Sequence, residues 1–166
     1  DDIPEDDMIR LYRSADAFVI ATRGEGWCLP TFQAMAMGLP TIATAYGGQT
    51  EYMKNFNSYL IDYKLEPLPE HLHKIYGNGN MSLAQPSLES AAQHMSFVHN
   101  NRDEARQIGK IARTHIVENF SEGVVAGIIR EKLAVIHERE ALLKSTPDLD
   151  GTQTTPVPKF ARGDSV

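Results

Sequence analysis

The sequence predicts an α/β fold, an open parallel sheet with helices on its faces. Three apolar runs, "DAFVIAT" (16–22), "PTIATA" (40–45) and "SYLIDY" (58–63), have the length and composition of buried strands. Between the first two lies the helix-forming block "PTFQAMAM", and between the second and third a glycine turn leads into the short helical stretch "GGQTEYMKN". Strand, helix, strand in this order implies parallel neighbours with right-handed crossovers.

The elements follow in order. Pro4 and the carboxylates Glu5, Asp6 and Asp7 open a first helix, with Met8, Leu11, Tyr12 and Ala15 on one stripe. After the first strand, Pro30 suits the start of a second helix, and Gly38 with Pro40 stops it. Residues 64–84 read as loop, because Pro67, Pro69, Gly77 and Gly79 interrupt them and "YGNGNMS" has no apolar period. Pro86 and Ser87 open a helix to about Asn100. Asn101 and Glu104 resemble a capping pair for the next, whose face is Ala105, Ile108, Ala112 and Ile116. Ser121 caps a last helix carrying Val125, Ile128, Ile129, Leu133 and Ile136. Residues 1–144 are thus expected to form an incomplete globular lobe, and 145–166, without periodicity, a disordered tail.

Of the 166 residues, 42% are hydrophobic and 23% charged, as in a domain able to bury a core. A formal net charge of −6 argues against a nucleic-acid or anionic-membrane surface, which needs clustered Lys and Arg. The single cysteine, Cys28, excludes an internal disulfide and suits a reducing compartment, so a cytosolic setting is expected. No run approaches the roughly 20 apolar residues of a membrane span, and "DDIPEDDMIR" is too acidic for a targeting peptide. Lacking an initiator Met, the chain reads as a fragment. The six histidines have no metal-ligand spacing, and no metal is expected. "GNGNMS" matches neither a dinucleotide nor a P-loop pattern. The "RGDS" at 162–165 and the N-x-S matches at Asn80 and Asn119 are read as chance.

The chemistry concentrates in "RGEGWCLPTFQ", residues 23–33. Ligands of open α/β sheets lie beyond the carboxyl ends of the strands, where Glu25 falls. The amides of Gly26, Trp27, Cys28 and Leu29 precede or open the helix and lack intrahelical partners, which suits an anion or a polarised hydroxyl. Eight positions on, Gln33 can face the same crevice, and an acid with an amide grips polyhydroxylated compounds well. The alternative is that Glu25 only complements the helix dipole and Gln33 is solvated. Trp27 is open to stacking on a sugar or packing on the sheet, and Arg23 to a phosphate or the acidic N-terminal segment.

Five blocks, "EGWCLP", "QAMAMGLP", "TIAT", "GGQTE" and "NSYLI", stand in the order and spacing of the donor-binding signature of retaining glycosyltransferases of family 4, the group 1 type. "NRDEARQIGKIARTHIVENFS" also resembles that family's C-terminal ending. The resemblance covers roughly residues 10–140. It implies the C-terminal, Rossmann-like lobe of a GT-B fold and transfer of a hexose-type sugar from a nucleoside diphosphate, with retention and without a metal or other cofactor. By position, Glu25 is implied to be the catalytic-site acid on the donor sugar's hydroxyls, Gln33 to stand where a second Glu binds ribose, and Gly26 to Leu29 to approach sugar and diphosphate. Gly47 and Gly48 match the family's glycine turn, and Glu51 its trailing, structural acid. The implied partners are the nucleotide-sugar donor, an acceptor that is a glycan, lipid or protein, and the N-terminal lobe of the same protein, with no nucleic acid. The setting is the cytosol or the cytosolic face of a membrane, and the fragment alone is expected to be inactive. Two residues depart from the pattern. Gln33 cannot offer a charged acceptor, which implies either weakened donor binding or a non-catalytic binding module, and Cys28 occupies a position that is often Gly.

Overall fold

The computed structural model describes residues 3–77 and 81–145. The elements are α1 (Glu5–Ser14), β1 (Phe18–Ile20), α2 (Leu29–Ala36), β2 (Thr41–Thr44), a 3₁₀ turn (Gly48–Glu51), β3 (Tyr59–Ile61), β4 (Tyr63–Pro67), a second 3₁₀ turn (Glu70–Leu72), α3 (His73–Tyr76), β5 (Ser82–Pro86), α4 (Leu88–Asn100), α5 (Arg102–Phe120) and α6 (Glu122–Ser145). Among the described residues, those up to Val125 make one compact unit and those from Ala126 a second.

In the first unit β1, β2 and β3 form a parallel sheet in that order, with Phe18 opposite Thr41 and Ile42 opposite Tyr59. This is the predicted α/β architecture. Every residue of the central strand β2 is buried, and alternation divides its apolar side chains between two cores. Ala43 packs with Met35, Tyr52, Met53, Ala112 and Ile116, whereas Ile42 packs with Ile61, Val98 and Ala105. The helix α5 therefore serves both clusters, through the face read from the sequence. A third cluster joins Tyr12 of α1 to Ala34 and Leu39.

The helix α2 has Pro30 in its first turn and ends where Gly38 turns left-handed at φ 78°. The amides of Gly38 and Leu39 bond back to Met35 and Ala34 (2.9 and 3.0 Å), so the last carbonyls are satisfied by a Schellman closure. Arg113 of α5 donates to the carbonyl of Ala36. On the same helix Gly109 lies so close that a Cβ on it would sit 3.0 Å from the carbonyl carbon of Gly38.

Several expectations need correction. The stretch 64–84 is not all loop: β4 and β5 pair antiparallel, with Leu65 opposite Ala84 and Glu66 opposite Leu83. All five residues of β4 are exposed and only Ala84 of β5 is buried, so neither strand writes a hydrophobic period into the sequence. Of "YGNGNMS", residues 78–80 lie outside the described residues. In α1 only Tyr12 is buried, while Leu11 and Ala15 are exposed, which narrows the stripe. Asn101 does not cap α5 with its side chain; its Nδ2 donates to Phe97 O (2.9 Å) and closes α4 instead. Ser87 does cap α4, accepting from Ser90 N at 3.2 Å.

In α6, Ile128, Ile129, Leu133 and Ile136 are exposed. The tail expected from residue 145 lies, past Ser145 itself, outside the described residues. Among the described residues, no helix is long and apolar enough to cross a membrane.

Candidate functional site

Parallel strands bring the loops after β1 and β2 to the same end of the sheet. The first loop carries Glu25, and the second carries Gly47 and Gly48. The two loops interlock main chain to main chain. Gly48 N donates to Glu25 O at 2.9 Å. A Cβ on Gly47 would sit 2.8 Å from Glu25 O, and one on Gly48 only 2.6 Å from the carbonyl carbon of Gly26. Gly47 also has φ 100°, a region that disfavours any side chain. The two glycines thus let the Glu25 backbone lie against the β2 turn, and Glu25 itself is half-buried.

Tyr52, fully buried, organises the next residues. Its hydroxyl donates toward two carbonyls, Trp27 O (2.6 Å) and Cys28 O (2.8 Å). In a trans peptide the N–H points opposite the C=O, so this anchor turns the N–H groups of Cys28 and Leu29 away from Tyr52. Neither amide has a backbone acceptor among the described residues. Burial pushes the Tyr52 phenol well above its ordinary value, with Cys28 and then Glu25 adding to the effect, so it remains a donor at neutral pH.

Cys28 is left-handed, with φ 59° and ψ 69°. That geometry explains why glycine suits the position, and it makes Cys28 a strained residue. Its thiol is buried, with Sγ 2.9 Å from Thr31 Oγ1. Trp27 packs its ring on Tyr52 (5.1 Å), Phe120 (5.8 Å) and Phe32 (6.1 Å). Of its two readings, packing is the one these contacts support.

Gln33 is exposed on α2, and its Oε1 accepts from Tyr12 Oη at 3.1 Å. The same hydroxyl lies 3.2 Å from Pro30 O. Burial, and secondarily Cys28, raises the Tyr12 phenol above its ordinary value. The amide Nε2 of Gln33 has no acceptor among the described residues. Leu29 is exposed at the first position of α2, and Glu51 is exposed at the end of the 3₁₀ turn.

Two participants were not legible in the sequence, and a third, Arg23, takes an unforeseen partner. Tyr52 acts on residues 24 and 25 positions earlier, a long-range contact that no local pattern encodes. Gln49 is wholly buried and donates to Thr44 O (3.1 Å), tying the turn to the end of β2. Among the described residues Arg23 pairs not with the acidic N-terminal segment but with the unforeseen hairpin, its Nη2 3.2 Å from Glu66 Oε2. A separate cleft of about 180 Å³, lined by Val19, Ile42, Val98 and His99 among others, holds none of the site residues. Among the described residues, no three His, Cys, Asp or Glu side chains gather as a metal-holding group.

Residues 2–115 match the family described as glycosyl transferases group 1. A stretch of 46 residues is 39% identical to the mannosylfructose-phosphate synthase of Agrobacterium fabrum (strain C58 / ATCC 33970), covering 28% of this chain. The match spans 10% of that protein's length. With more than half of its residues inside the family match and the sheet that the family signature implies, this chain belongs to the group 1 glycosyl transferases.

Proposed function

We propose that this chain is the donor-binding part of a retaining glycosyltransferase that moves a sugar from a nucleoside diphosphate to an acceptor hydroxyl. The observation that carries the reading is the Tyr52 anchor on the Glu25 loop, which directs the unpaired N–H groups of Cys28 and Leu29 away from Tyr52. Two oriented amides at a helix start suit the developing negative charge of a departing diphosphate, and they need no reorganisation as it forms. Glu25 accepts from the donor sugar's hydroxyls and orients the ring, while Gln33 meets the ribose. Glu51 serves the turn rather than the ligand. The reading requires no metal ion and no cofactor besides the donor. A cytosolic setting agrees with the free thiol of Cys28. The acceptor is assigned to the N-terminal lobe of the intact protein, so turnover is expected from that protein and not from these 166 residues alone.

The test is a ligand-observed NMR titration of the chain with UDP-, GDP- and ADP-sugars, beside Glu25→Ala. One nucleotide class is expected to bind, and the substitution to weaken it about ten- to a hundredfold, the worth of hydrogen bonds to a charged acceptor. Equal binding by both proteins would remove Glu25 from the site. No binding to the folded chain would overturn the reading.

Gln33 favours a second reading, a binding module that has lost its chemistry. Gln33→Glu keeps an oxygen acceptor for Tyr12. A gain in donor affinity identifies a weakened enzyme site, and no response identifies a lapsed one.

A further inference from the structure

We propose that Arg23 is a positioning residue, which clamps the β4–β5 hairpin to the Glu25 loop and so sets the donor crevice without binding the donor's phosphates. The inference rests on the donor-site reading above. Arg23 reaches both hairpin strands. Its Nη2 pairs with Glu66 Oε2 of β4 (3.2 Å), its Nε donates to Ala84 O of β5 (3.4 Å), and its own carbonyl accepts from Ala84 N (2.9 Å). Nε and Nη2 form the side edge of the guanidinium fork, one of its two edges able to grip a phosphate through two parallel bonds. Here that edge is occupied by the hairpin.

A second link carries the hairpin to the loop after β2. The ring of Tyr63, at the start of β4, lies 5.2 Å from that of Tyr46, tilted by 54°. Tyr46 immediately precedes Gly47, as Arg23 stands two residues before Glu25. The hairpin therefore bridges both interlocked loops, and Ala84, wholly buried, is its foothold. Arg23 and Glu66 are partly exposed, at 36% and 51% of their side chains. Their clamp is accordingly a modest adjustment of loop position, worth a few-fold in affinity.

The experiment compares the wild-type chain with Arg23→Gln, Glu66→Gln, the double variant, and the charge swap Arg23→Glu with Glu66→Arg. Affinity for the best-binding nucleotide sugar and the backbone amide shifts of Gly26 and Gly48 are read by NMR. Each single change is expected to weaken binding about two- to fivefold. The double is expected to be no worse than the weaker single, and the swap to recover at least part of the loss. Both single changes should move the Gly26 and Gly48 amides. A phosphate-binding Arg23 gives a different pattern: Glu66→Gln leaves affinity equal or tighter, and the swap does not recover it. That pattern overturns the proposal, as do unmoved amides. If the wild type binds no nucleotide sugar, the donor-site reading fails, while the amide shifts still decide whether Arg23 and Glu66 hold the loop.

Discussion

The carbonyl of Gly26 occupies the space where a side chain on Gly48 would begin, with a Cβ there only 2.6 Å from the Gly26 carbonyl carbon. Both partners of this contact are backbone, so neither can rotate aside. Gly48→Ala must push the two loops apart, with an expected loss of about 1–3 kcal/mol in urea unfolding and of donor binding. Gly24, beside which a Cβ meets nothing within 4 Å, is the control. Its alanine variant is expected to stay within about 0.5 kcal/mol of wild type.

Cys28 sets two effects against each other. The left-handed backbone costs a side chain about 1–2 kcal/mol, and glycine removes that cost. Glycine also gives up a buried thiol beside Thr31. Cys28→Gly is therefore expected within about 1 kcal/mol of wild type. Cys28→Val, branched at Cβ, is expected to lose about 2 kcal/mol or more, since branched residues are worst in this region. Denaturation midpoints rank the three.

The raised Tyr52 phenol makes stability fall in alkali. Its protonated form is favoured in the folded chain, so the contribution is complete below the unfolded phenol value near 10. Above that the unfolded chain sheds a proton that the folded chain keeps, and stability declines as pH rises toward the folded value. Tyr52→Phe loses the hydrogen bonds to Trp27 and Cys28, about 1 kcal/mol at pH 7. It should also show a flatter decline above pH 10. Urea unfolding across pH 7 to 11 measures both; an unchanged alkaline slope would contradict the assignment.

Tyr59 presents the opposite case. Its hydroxyl is buried without a partner among the described residues, and burial, then Glu104, raises its phenol. Its ring packs beside Phe97 and His94, contacts that phenylalanine preserves. Tyr59→Phe removes the unpaired oxygen alone. It is expected to leave thermal stability unchanged or raise it by up to about 1 kcal/mol.

The three parallel strands and α2 were legible because "DAFVIAT", "PTIATA" and the Pro30-to-Gly38 block carry local signals: apolar runs, a helix-opening proline and a stopping glycine. Gly47 and Gly48 were legible as a turn. What they do, admitting the Glu25 backbone, is a contact between segments more than 20 residues apart, which no local period records. The hairpin was illegible for a related reason. Its strands are held by each other and by Arg23, and with β4 wholly exposed there was no buried face to alternate. The left-handed turn at Cys28 was hidden because the sequence shows a residue that tolerates the geometry poorly.

Glycine grips α2 at both ends. Ahead of it, Gly48 bears on Gly26; behind it, Gly109 bears on Gly38, and Arg113 holds the carbonyl of Ala36. Backbone thus lies close against backbone on both flanks of α2, through Gly26 ahead of it and Gly38 behind it. Mutations that alter specificity without unfolding the chain should therefore map to side chains around α2 and leave these two backbone contacts untouched.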